Sequence, residues 1–408
     1  MRILIITQYF WPENFRINDL TAALLERGHQ VTVLTGIPNY PEGRFFNGYG
    51  LFKNLRQNYH GAQIIRVPLV PRGNGSGLRL GLNYLSFAVF SSLLAPFLCK
   101  EDYDVIFVFE PSPITVGLPA LVLKKLSAIP ILFWVQDLWP ESLSATGAVQ
   151  SEFILNMVRR IVGFIYHGCD KILVTSKAYI PSIKDFGVDE RRLHYFPQSV
   201  ETLYRPIGSD SDASESRLLP NGFRVMFAGN IGAAQAFETI LDAAENLREH
   251  DDIHWIIVGD GRKRHWVESE VKRRALSRNV HLVGRYPVEA MPQFFSLADV
   301  MLVTLKKEPI FSLTVPAKIQ SYLACGKAII AALDGEGNDL IREAKAGLCC
   351  PAEDSDALAE AVLKMSLLSK AEIEEMGRCG LHYYEANFER EMLTNRLEGW
   401  MRDVCNKL

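Results

Sequence analysis

Short runs of apolar residues alternate along the first half of the chain with longer segments in which apolar residues recur every three or four positions. The short runs predict strands, and the longer amphipathic segments predict helices. Strands are predicted at residues 2–7, 30–35, 63–67, 105–109, 131–135 and 171–175, and helices at residues 17–27, 76–98, 115–126, 152–166 and 177–186. This alternation predicts a parallel, doubly wound sheet.

The same alternation restarts after a segment rich in Gly, Ser and Asp, residues 206–222, which is expected to be a loop or linker. Strands are predicted at residues 224–228, 253–258, 280–283, 300–304 and 327–331, and helices at residues 237–249, 263–276, 290–296, 317–324, 339–344 and 355–368. We therefore predict an α/β protein with two Rossmann-like, doubly wound domains, residues 1–200 and 201–385, facing each other across a cleft. A last helix at residues 389–406 is expected to follow a break at residues 385–387, and this C-terminal segment, residues 386–408, is expected to cross back to the first domain.

Composition narrows the class of protein. The chain has 408 residues, with 44 Lys and Arg against 47 Asp and Glu, so its net charge is −3. The length allows two cores, and the charge balance argues against a nucleic-acid-binding protein. Seven cysteines show no CxxC pair and no regular spacing, which is typical of reduced thiols and predicts a cytoplasmic location. The apolar run after Met1 is short and is interpreted as a strand rather than a signal peptide.

The longest uncharged stretch, residues 80–99, has three interpretations. It is long enough to span a bilayer. Its Asn, Ser and Pro residues favour a buried or half-buried helix of a soluble domain. The third interpretation is in-plane contact with a membrane, because basic residues such as Arg44, Arg72 and Arg79 precede the stretch and would suit anionic head groups.

Two glycine turns follow strands in the second half. The first is Gly-Asn-Ile-Gly at 229–232, and the second is Val-Gly-Asp-Gly at 258–261. Glycines at a strand-to-helix turn let a phosphate approach backbone N–H groups, although a plain tight turn needs them equally. Gly229, Asn230, Gly232 and Gln235 are the candidate ligand-binding residues, since a plain turn does not require the two amides. Arg285 either flanks a nucleotide base or closes a loop.

The strongest local signal is the segment from Lys306 to Lys318. Thr314 lies just before a predicted helix, whose first turn tolerates Pro316 because that N–H has no partner in any helix. A helix start offers free N–H groups and a positive dipole end to an anion. With Lys306 and Lys318 beside it, this segment predicts a diphosphate site that needs no metal, with the two lysines in the catalytic role. The alternative is a loop with two solvated lysines.

Polar residues also follow strands in the first half, at the sheet edge where such folds bind ligands. Asp137 comes directly after the run 131–135 and is placed to orient or deprotonate a substrate hydroxyl, although Asp also caps turns. Arg16 and Glu110 have the same two interpretations. No metal-binding spacing of histidines, no GxSxG motif and no Walker lysine loop is present. Asp-x-Asp triplets at 102–104, 210–212 and 354–356 are interpreted as incidental.

These motifs resemble the family-4 retaining glycosyltransferases of the GT-B fold. The resemblance is carried by the two glycine turns, by Gly-Arg-Tyr-Pro at 284–287 and by the block from Pro316 to Lys327. The segments Tyr-Phe-Trp-Pro-Glu-Asn-Phe-Arg-Ile-Asn-Asp at 9–19 and Gln-Asp-Leu-Trp-Pro-Glu-Ser at 136–142 look like the WbuB and WcaI branch, which builds O-antigen or colanic-acid type polysaccharides.

The resemblance implies a metal-independent, retaining transferase without a cofactor. It implies a UDP-sugar donor in the second domain and an acceptor in the first, with Asn14, Glu110 and Glu141 on the acceptor side. It further implies transfer of N-acetyl-L-fucosamine, or a related amino or deoxy sugar, to an undecaprenyl-diphosphate-linked saccharide. The expected location is peripheral, on the inner face of the cell membrane.

The chain departs from the family pattern around the donor. Members usually carry Arg and Lys where this chain has Asn230 and Gln235, and the glutamates of their Glu-x7-Glu motif fall near Leu313 and Ser321. We expect the two lysines to replace the missing cations and Gln320 or Ser321 to contact the ribose. The usual N-terminal glycine pair is replaced by Asn14-Phe15, so Arg16 is expected to reach the donor phosphates.

Three other functions are considered. A GT-B-fold UDP-sugar 2-epimerase shares the nucleotide domain but needs no acceptor. A non-catalytic nucleotide-sugar-binding partner of a membrane assembly is favoured by the missing glutamates. A dinucleotide oxidoreductase is disfavoured because GxGxxG is absent. The donor base, the sugar, the acceptor, the linkage and the oligomeric state stay open.

Overall fold

The computed structural model describes residues 1–73, 76–145, 149, 151–208 and 215–406. Residues 209–214 of the expected linker, with the triplet at 210–212, lie outside this description. The chain divides into an N-terminal unit, Met1–Pro197 with Glu391–Leu408, and a C-terminal unit, Gln198–Arg390. Each unit has a Rossmann-like α/β fold built on a mainly parallel sheet, which confirms the predicted fold class.

The N-terminal unit has, within the described residues, an eight-stranded sheet with the order β3-β4-β2-β1-β5-β6-β7-β8. The strands are β1 Arg2–Ile6, β2 Gln30–Gly36, β3 Arg56–Tyr59, β4 Ala62–Val67, β5 Val105–Glu110, β6 Ile131–Val135, β7 Lys171–Val174 and β8 Leu193–Tyr195. Two of these, β3 and β8, were not predicted. Strand β3 pairs antiparallel with β4 at the sheet edge, and its polar residues alternate between exposed and half-buried positions.

Helices cover both faces of this sheet. They are α1 Arg16–Glu26, α2 Gly77–Leu98, α3 Gly117–Ser127, α4 Glu141–Ala145, α5 Glu152–Gly168 and α6 Tyr179–Lys184. Helix α2 contacts α3, and α3 contacts α5, so these three lie side by side on one face. The opposite face packs against α1, where Ile17 and Leu24 are fully buried.

The C-terminal unit has a six-stranded sheet among the residues the structure describes, in the order β11-β10-β9-β12-β13-β14. Its strands are β9 Phe223–Ala228, β10 Ile253–Val258, β11 Val280–Gly284, β12 Val300–Thr304, β13 Ile329–Ala332 and β14 Gly347–Cys350. Its helices are α7 Phe237–Asn246, α8 Arg264–Arg273, α9 Met291–Leu297, α10 Pro309–Ser312, α11 Ala317–Ala324, α12 Glu336–Glu343, α13 Ser355–Ser366 and α14 Lys370–Asn387. Strand β14 and helices α10 and α14 were not predicted.

The last helix, α15 Arg390–Cys405, belongs from Glu391 onwards to the N-terminal unit. Its Leu397 is fully buried with the residues of α1. Glu398 lies 2.7 Å from His29 and 3.4 Å from Arg27, so a partly buried ion-pair network joins this helix to the start of β2. The break before α15 falls at residues 388–389, slightly later than the sequence predicted.

Helix α2 is long and apolar enough to cross a membrane by length and composition, but only 28% of its most apolar window is buried in the protein. The expected buried or half-buried helix is therefore packed on its inner face and exposed on its outer face. The seven cysteines are all free thiols.

Candidate functional site

The glycine turns after β9 and β10 touch each other through their backbones. Gly229 and Gly259 have φ values of +141° and +152°, which L side chains rarely adopt. A Cβ on Gly259 would lie 1.9 Å from the Gly229 carbonyl oxygen, and one on Gly261 would lie 2.3 Å from that of Ile231. Gly229 and Asn230 are exposed. Bare backbone at the carboxyl end of a parallel sheet is suited to a phosphate group.

Lys318, on the first turn of α11, points its ammonium at this turn. Its Nζ donates to Gln235 Oε1 at 2.8 Å and lies 3.7 Å from the centroid of the Phe227 ring. A Cβ on Gly229 would be 3.5 Å from Nζ, so the ammonium stands against the open glycine backbone. Burial lowers the pKa of Lys318 to about 7. Burial is the cause of this shift, and a lysine with so low a pKa beside an open turn is a candidate functional residue.

Tyr322 fixes the end of β9, and sequence reasoning missed it. Its hydroxyl donates to the Ala228 carbonyl and accepts from the Ala228 N–H, both at 3.1 Å. Strands β9 and β12 pair only at Val225 and Met226, so the backbone of Ala228 needs another partner on that side. The tyrosine satisfies both groups one residue before Gly229.

Three other residues that were predicted to bind the UDP-sugar donor lie near the same sheet edge. The Lys306 N–H donates to the Ala234 carbonyl at 3.0 Å, which puts Lys306 beside the turn that holds Gln235. Arg285 is exposed directly after β11. The Thr314 hydroxyl donates to the Ile310 carbonyl at 2.9 Å and so fixes the loop before α11. Pro316 is the N-cap of α11 rather than a first-turn residue.

The structure does not support a ribose contact by Gln320 or Ser321. Only 2% of Gln320 and 4% of Ser321 is exposed. When the Gln320 side-chain amide is oriented with its nitrogen toward the start of α11, it donates to the carbonyls of Pro316 and Ala317 at 3.2 and 3.0 Å. Both residues lie on the face of α11 that packs into the C-terminal unit. The prediction used the spacing of the family motif from Gly326, and that spacing leads to buried positions.

In the N-terminal unit, Glu110 and Asp137 lie at the ends of the neighbouring strands β5 and β6. Glu110 Oε2 accepts the N–H groups of Gln136 at 3.3 Å and Asp137 at 3.5 Å. Burial, and then the charge of Asp137, raise the pKa of Glu110 well above its ordinary value. Burial raises the pKa of Asp137 to about 6, against a hydrogen bond from Ser112 that lowers it. Burial therefore favours the neutral form of both carboxyl groups, and the charge of Asp137 further disfavours ionisation of Glu110.

A cluster of aromatic residues around one arginine adjoins this pair. The Arg72 guanidinium lies over the rings of Tyr9, Tyr40 and Tyr84, at 5.6, 5.1 and 5.9 Å from their centroids. It also donates to the Tyr9 hydroxyl at 2.5 Å. Tyr84 packs edge-on against Trp139, whose Nε1 donates to the Ser112 hydroxyl at 3.1 Å. Ser112 therefore joins this cluster to Asp137.

Sequence reasoning did not identify Arg72, Tyr84 or Glu13 as site residues. Glu13 is buried, accepts the N–H groups of Asn39 and Tyr40 at 2.8 and 2.7 Å, and has a pKa raised by burial to about 7. The segment at residues 9–19, which carries the family resemblance, contains Tyr9 and Glu13, so it was the sequence feature that could have identified them. Arg72 lies in a loop that no local pattern connects to them.

The other predicted site residues of the N-terminal unit are Asn14 and Glu141, expected on the acceptor side, and Arg16, expected to reach the donor phosphates. Asn14 is exposed before α1, and Arg16 is the first residue of that helix. Glu141 begins α4, with Oε1 4.0 Å from Arg159. Among the described residues, no three His, Cys, Asp or Glu side chains are grouped to hold a metal ion.

In comparisons with known proteins, the N-terminal and C-terminal units match two different family models. Residues 14–198 match the family model described as glycosyl transferase 4-like domain, and residues 222–367 match glycosyl transferases group 1. WcaI of Escherichia coli (strain K12), named as a colanic acid biosynthesis glycosyl transferase, is 25% identical over 385 residues, or 91% of this chain and 93% of WcaI.

Two solved structures share the fold over their whole length. Sucrose-phosphate synthase from Thermosynechococcus elongatus has a TM-score of 0.78 at 18% identity, covering 100% of both chains. Anabaena Alr3699/HepE in complex with UDP-glucose has a TM-score of 0.72 at 16% identity, also covering 100% of both chains.

Proposed function

We propose, from the premise that this chain belongs to the GT-B glycosyltransferases, that it transfers a sugar from a UDP-sugar to a lipid-diphosphate-linked acceptor in the synthesis of a bacterial surface polysaccharide. The observation that carries this proposal is the Lys318 ammonium, held by Gln235 against the open backbone of Gly229. The likeness to WcaI over nearly the whole chain supports the polysaccharide context. The shared fold with Anabaena Alr3699/HepE, whose structure contains UDP-glucose, supports the choice of nucleotide.

In this function the C-terminal unit binds the donor. As the bond from the sugar to the diphosphate breaks, negative charge grows on the leaving phosphate. We propose that Lys318 and Lys306, beside the turn at residues 229–235, stabilise that charge, because preorganised groups of this kind give the largest catalytic effects. With two cations available, the diphosphate needs no metal ion.

The N-terminal unit binds the acceptor. Asp137, ionised above pH 6 and held by Ser112, orients the acceptor hydroxyl. We propose that the anomeric configuration is retained and that the leaving phosphate accepts the proton of the acceptor hydroxyl. A strong protein base is then unnecessary, which fits a site where burial disfavours the ionised form of the other carboxyl group, Glu110. A lipid-linked acceptor places the enzyme on the cytoplasmic face of the cell membrane.

The test is a transfer assay with a panel of UDP-sugars, UDP-N-acetyl-L-fucosamine first, and an undecaprenyl-diphosphate-linked N-acetylglucosamine acceptor. The expected result is a glycosylated lipid whose new linkage keeps the donor's anomeric configuration by NMR, at a rate that EDTA does not change. Conversion of a donor without acceptor would show an epimerase instead. Donor binding without transfer to any lipid-linked acceptor would show a non-catalytic partner.

A further inference from the structure

Helix α2 exposes an apolar stripe that the fold does not cover. Leu78, Leu82, Leu85, Val89 and Leu93 recur at helical spacing and are 43–77% exposed, and Phe97 is 70% exposed. From Leu78 to Phe97 the stripe is about 29 Å long at a rise of about 1.5 Å per residue. An exposed apolar surface of this length marks an interaction site.

Helices α3 and α5 extend the same surface. Phe153, Met157 and Phe164 of α5 are 79%, 49% and 64% exposed, and Leu126 at the end of α3 is 65% exposed. Because α3 packs between α2 and α5, these side chains belong to one outer layer of the N-terminal unit. We call this layer the α2–α3–α5 face.

The charges of this face differ from those of the chain as a whole. The exposed charged residues of these three helices are Arg79, Lys125, Arg159 and Arg160 against Glu152. Arg159 also lies 4.0 Å from Glu141 of α4, so Arg79, Lys125 and Arg160 are the cations that carry the argument. The face is therefore cationic, whereas the chain has a net charge of −3. Apolar side chains combined with Lys and Arg suit the surface of an anionic membrane. A second copy of the chain would instead bring like charges together.

Helix α2 cannot cross the membrane while the unit is folded. Its inner face is buried against the sheet through Phe87, Ser91 and Ala95. Asn83 accepts from Gln8 Nε2 at 2.7 Å and donates to the Val70 carbonyl at 2.6 Å. Only an orientation in the membrane plane keeps these contacts and covers the outer stripe.

We propose that the α2–α3–α5 face docks in-plane on an anionic lipid bilayer and presents the lipid-linked acceptor to the Asp137 cluster. The second part rests on the proposed function. It is supported by Tyr84, which lies on α2 itself and contacts Trp139 and Arg72. A bilayer against the outer face of α2 is then next to the residues that bind the acceptor.

The test measures sedimentation of the full chain with vesicles of phosphatidylcholine and phosphatidylglycerol in equal amounts, without any sugar. We expect binding to these vesicles, weaker binding in high salt, and little binding to phosphatidylcholine alone.

Leu85→Asn with Leu93→Asn should weaken binding by about tenfold or more, because two leucines no longer insert. Lys125→Gln with Arg160→Gln should weaken it by roughly tenfold, and only at low salt. Leu367→Asn and Arg278→Gln, exposed residues of the C-terminal unit, are the matched controls.

Thermal stabilisation by UDP, measured on each variant, checks that the fold and the donor site persist. Equal vesicle binding by the wild type and the Leu85/Leu93 variant would overturn the docking proposal. A wild-type dimer that this variant converts to a monomer in the absence of lipid would assign the face to self-association instead. Because neither readout uses a sugar acceptor, failure of the proposed transferase reaction would leave these results unchanged.

Discussion

Lys318 combines a stability cost with a predicted catalytic role. Its pKa is lowered by burial from an ordinary 10.5 to about 7. Between those two pH values the unfolded chain binds a proton that the folded chain does not, so stability rises with pH across that window. Below pH 7 the buried charge destabilises the fold. A residue kept in such a place is a candidate for function rather than for structure.

Lys318→Met is therefore predicted to stabilise the protein and to disable it. Below pH 7 the variant should melt at a higher temperature than the wild type, and its stability should no longer rise between pH 7 and pH 10. Turnover should fall by about 10²–10³-fold, the typical loss for one group that stabilises transition-state charge. Calorimetry across pH and a donor-transfer assay check both parts. Wild-type turnover in the variant would remove Lys318 from the mechanism.

Asp137 predicts an acid limb in the pH–rate profile. Its pKa is raised by burial to about 6, so turnover should rise as the pH passes 6 and the carboxylate forms. Ser112→Ala removes the hydrogen bond that lowers this pKa, so the limb should move to higher pH. Asp137→Asn should lose about 10²-fold in rate and show no limb in this range. A limb that stays in the Asp137→Asn variant would assign it to another group, for which Glu13 is the neighbouring candidate.

At the scale of elements, the glycine turns depend on a backbone contact that no side chain fits. Gly259→Ala would place a Cβ 1.9 Å from the Gly229 carbonyl oxygen at a φ that disfavours alanine. We expect the 229–232 turn to shift, with donor affinity reduced at least tenfold and the C-terminal unit destabilised. The control is Gly399→Ala, in the middle of α15 with open space at its Cβ, which should stabilise by about 0.5–1 kcal/mol. Thermal melts and UDP titration measure both; an unchanged UDP affinity in Gly259→Ala would contradict the phosphate role of the turn.

The sequence predicted those elements whose packing depends on apolar side chains. The predicted bounds of β1, β5, β6, β9, β10 and β12, which are runs of buried apolar residues, agree with those in the structure to within one residue. Helix α14 was missed because it packs through glycines: a Cβ on Gly377 would lie 2.1 Å from the Gly326 carbonyl oxygen, and one on Gly380 would lie 2.8 Å from a Leu323 methyl carbon. The two buried positions of this helix are glycines, so its hydrophobic periodicity is weak, with Ile373 and Met376 as its apolar contacts to the core. Strand β3 was missed because an exposed edge strand carries mainly polar residues.

The candidate site shows the same limit. Strand ends identified Asp137 and Glu110, and the turn with the helix start identified Gln235 and Lys318, because these signals are local. Arg72 and Tyr322 meet their partners only through the folded chain, 63 residues away for Tyr9 and 94 residues away for Ala228. Gln320 was chosen by spacing along a motif, whereas the orientation of α11 decides which residues face a ligand. Local patterns therefore located the sheet edges, and the fold decided which side chains meet there.

At the scale of the whole molecule, the two units are predicted to respond differently to the nucleotide. UDP at about 100 times its Kd should stabilise the unit that binds it by about 2.7 kcal/mol. Hydrogen–deuterium exchange of the full chain should then slow in the C-terminal unit, most at residues 229–235 and 312–318, because these segments carry the glycine turn, Gln235 and Lys318. Exchange at residues 110–112 and 137–139 of the N-terminal unit should change little with UDP alone, since they are assigned to the acceptor. The Lys318→Met variant is the control and should lose most of the protection. Protection centred on the Asp137 cluster, with none at 229–235, would reverse the assignment of donor and acceptor to the two units.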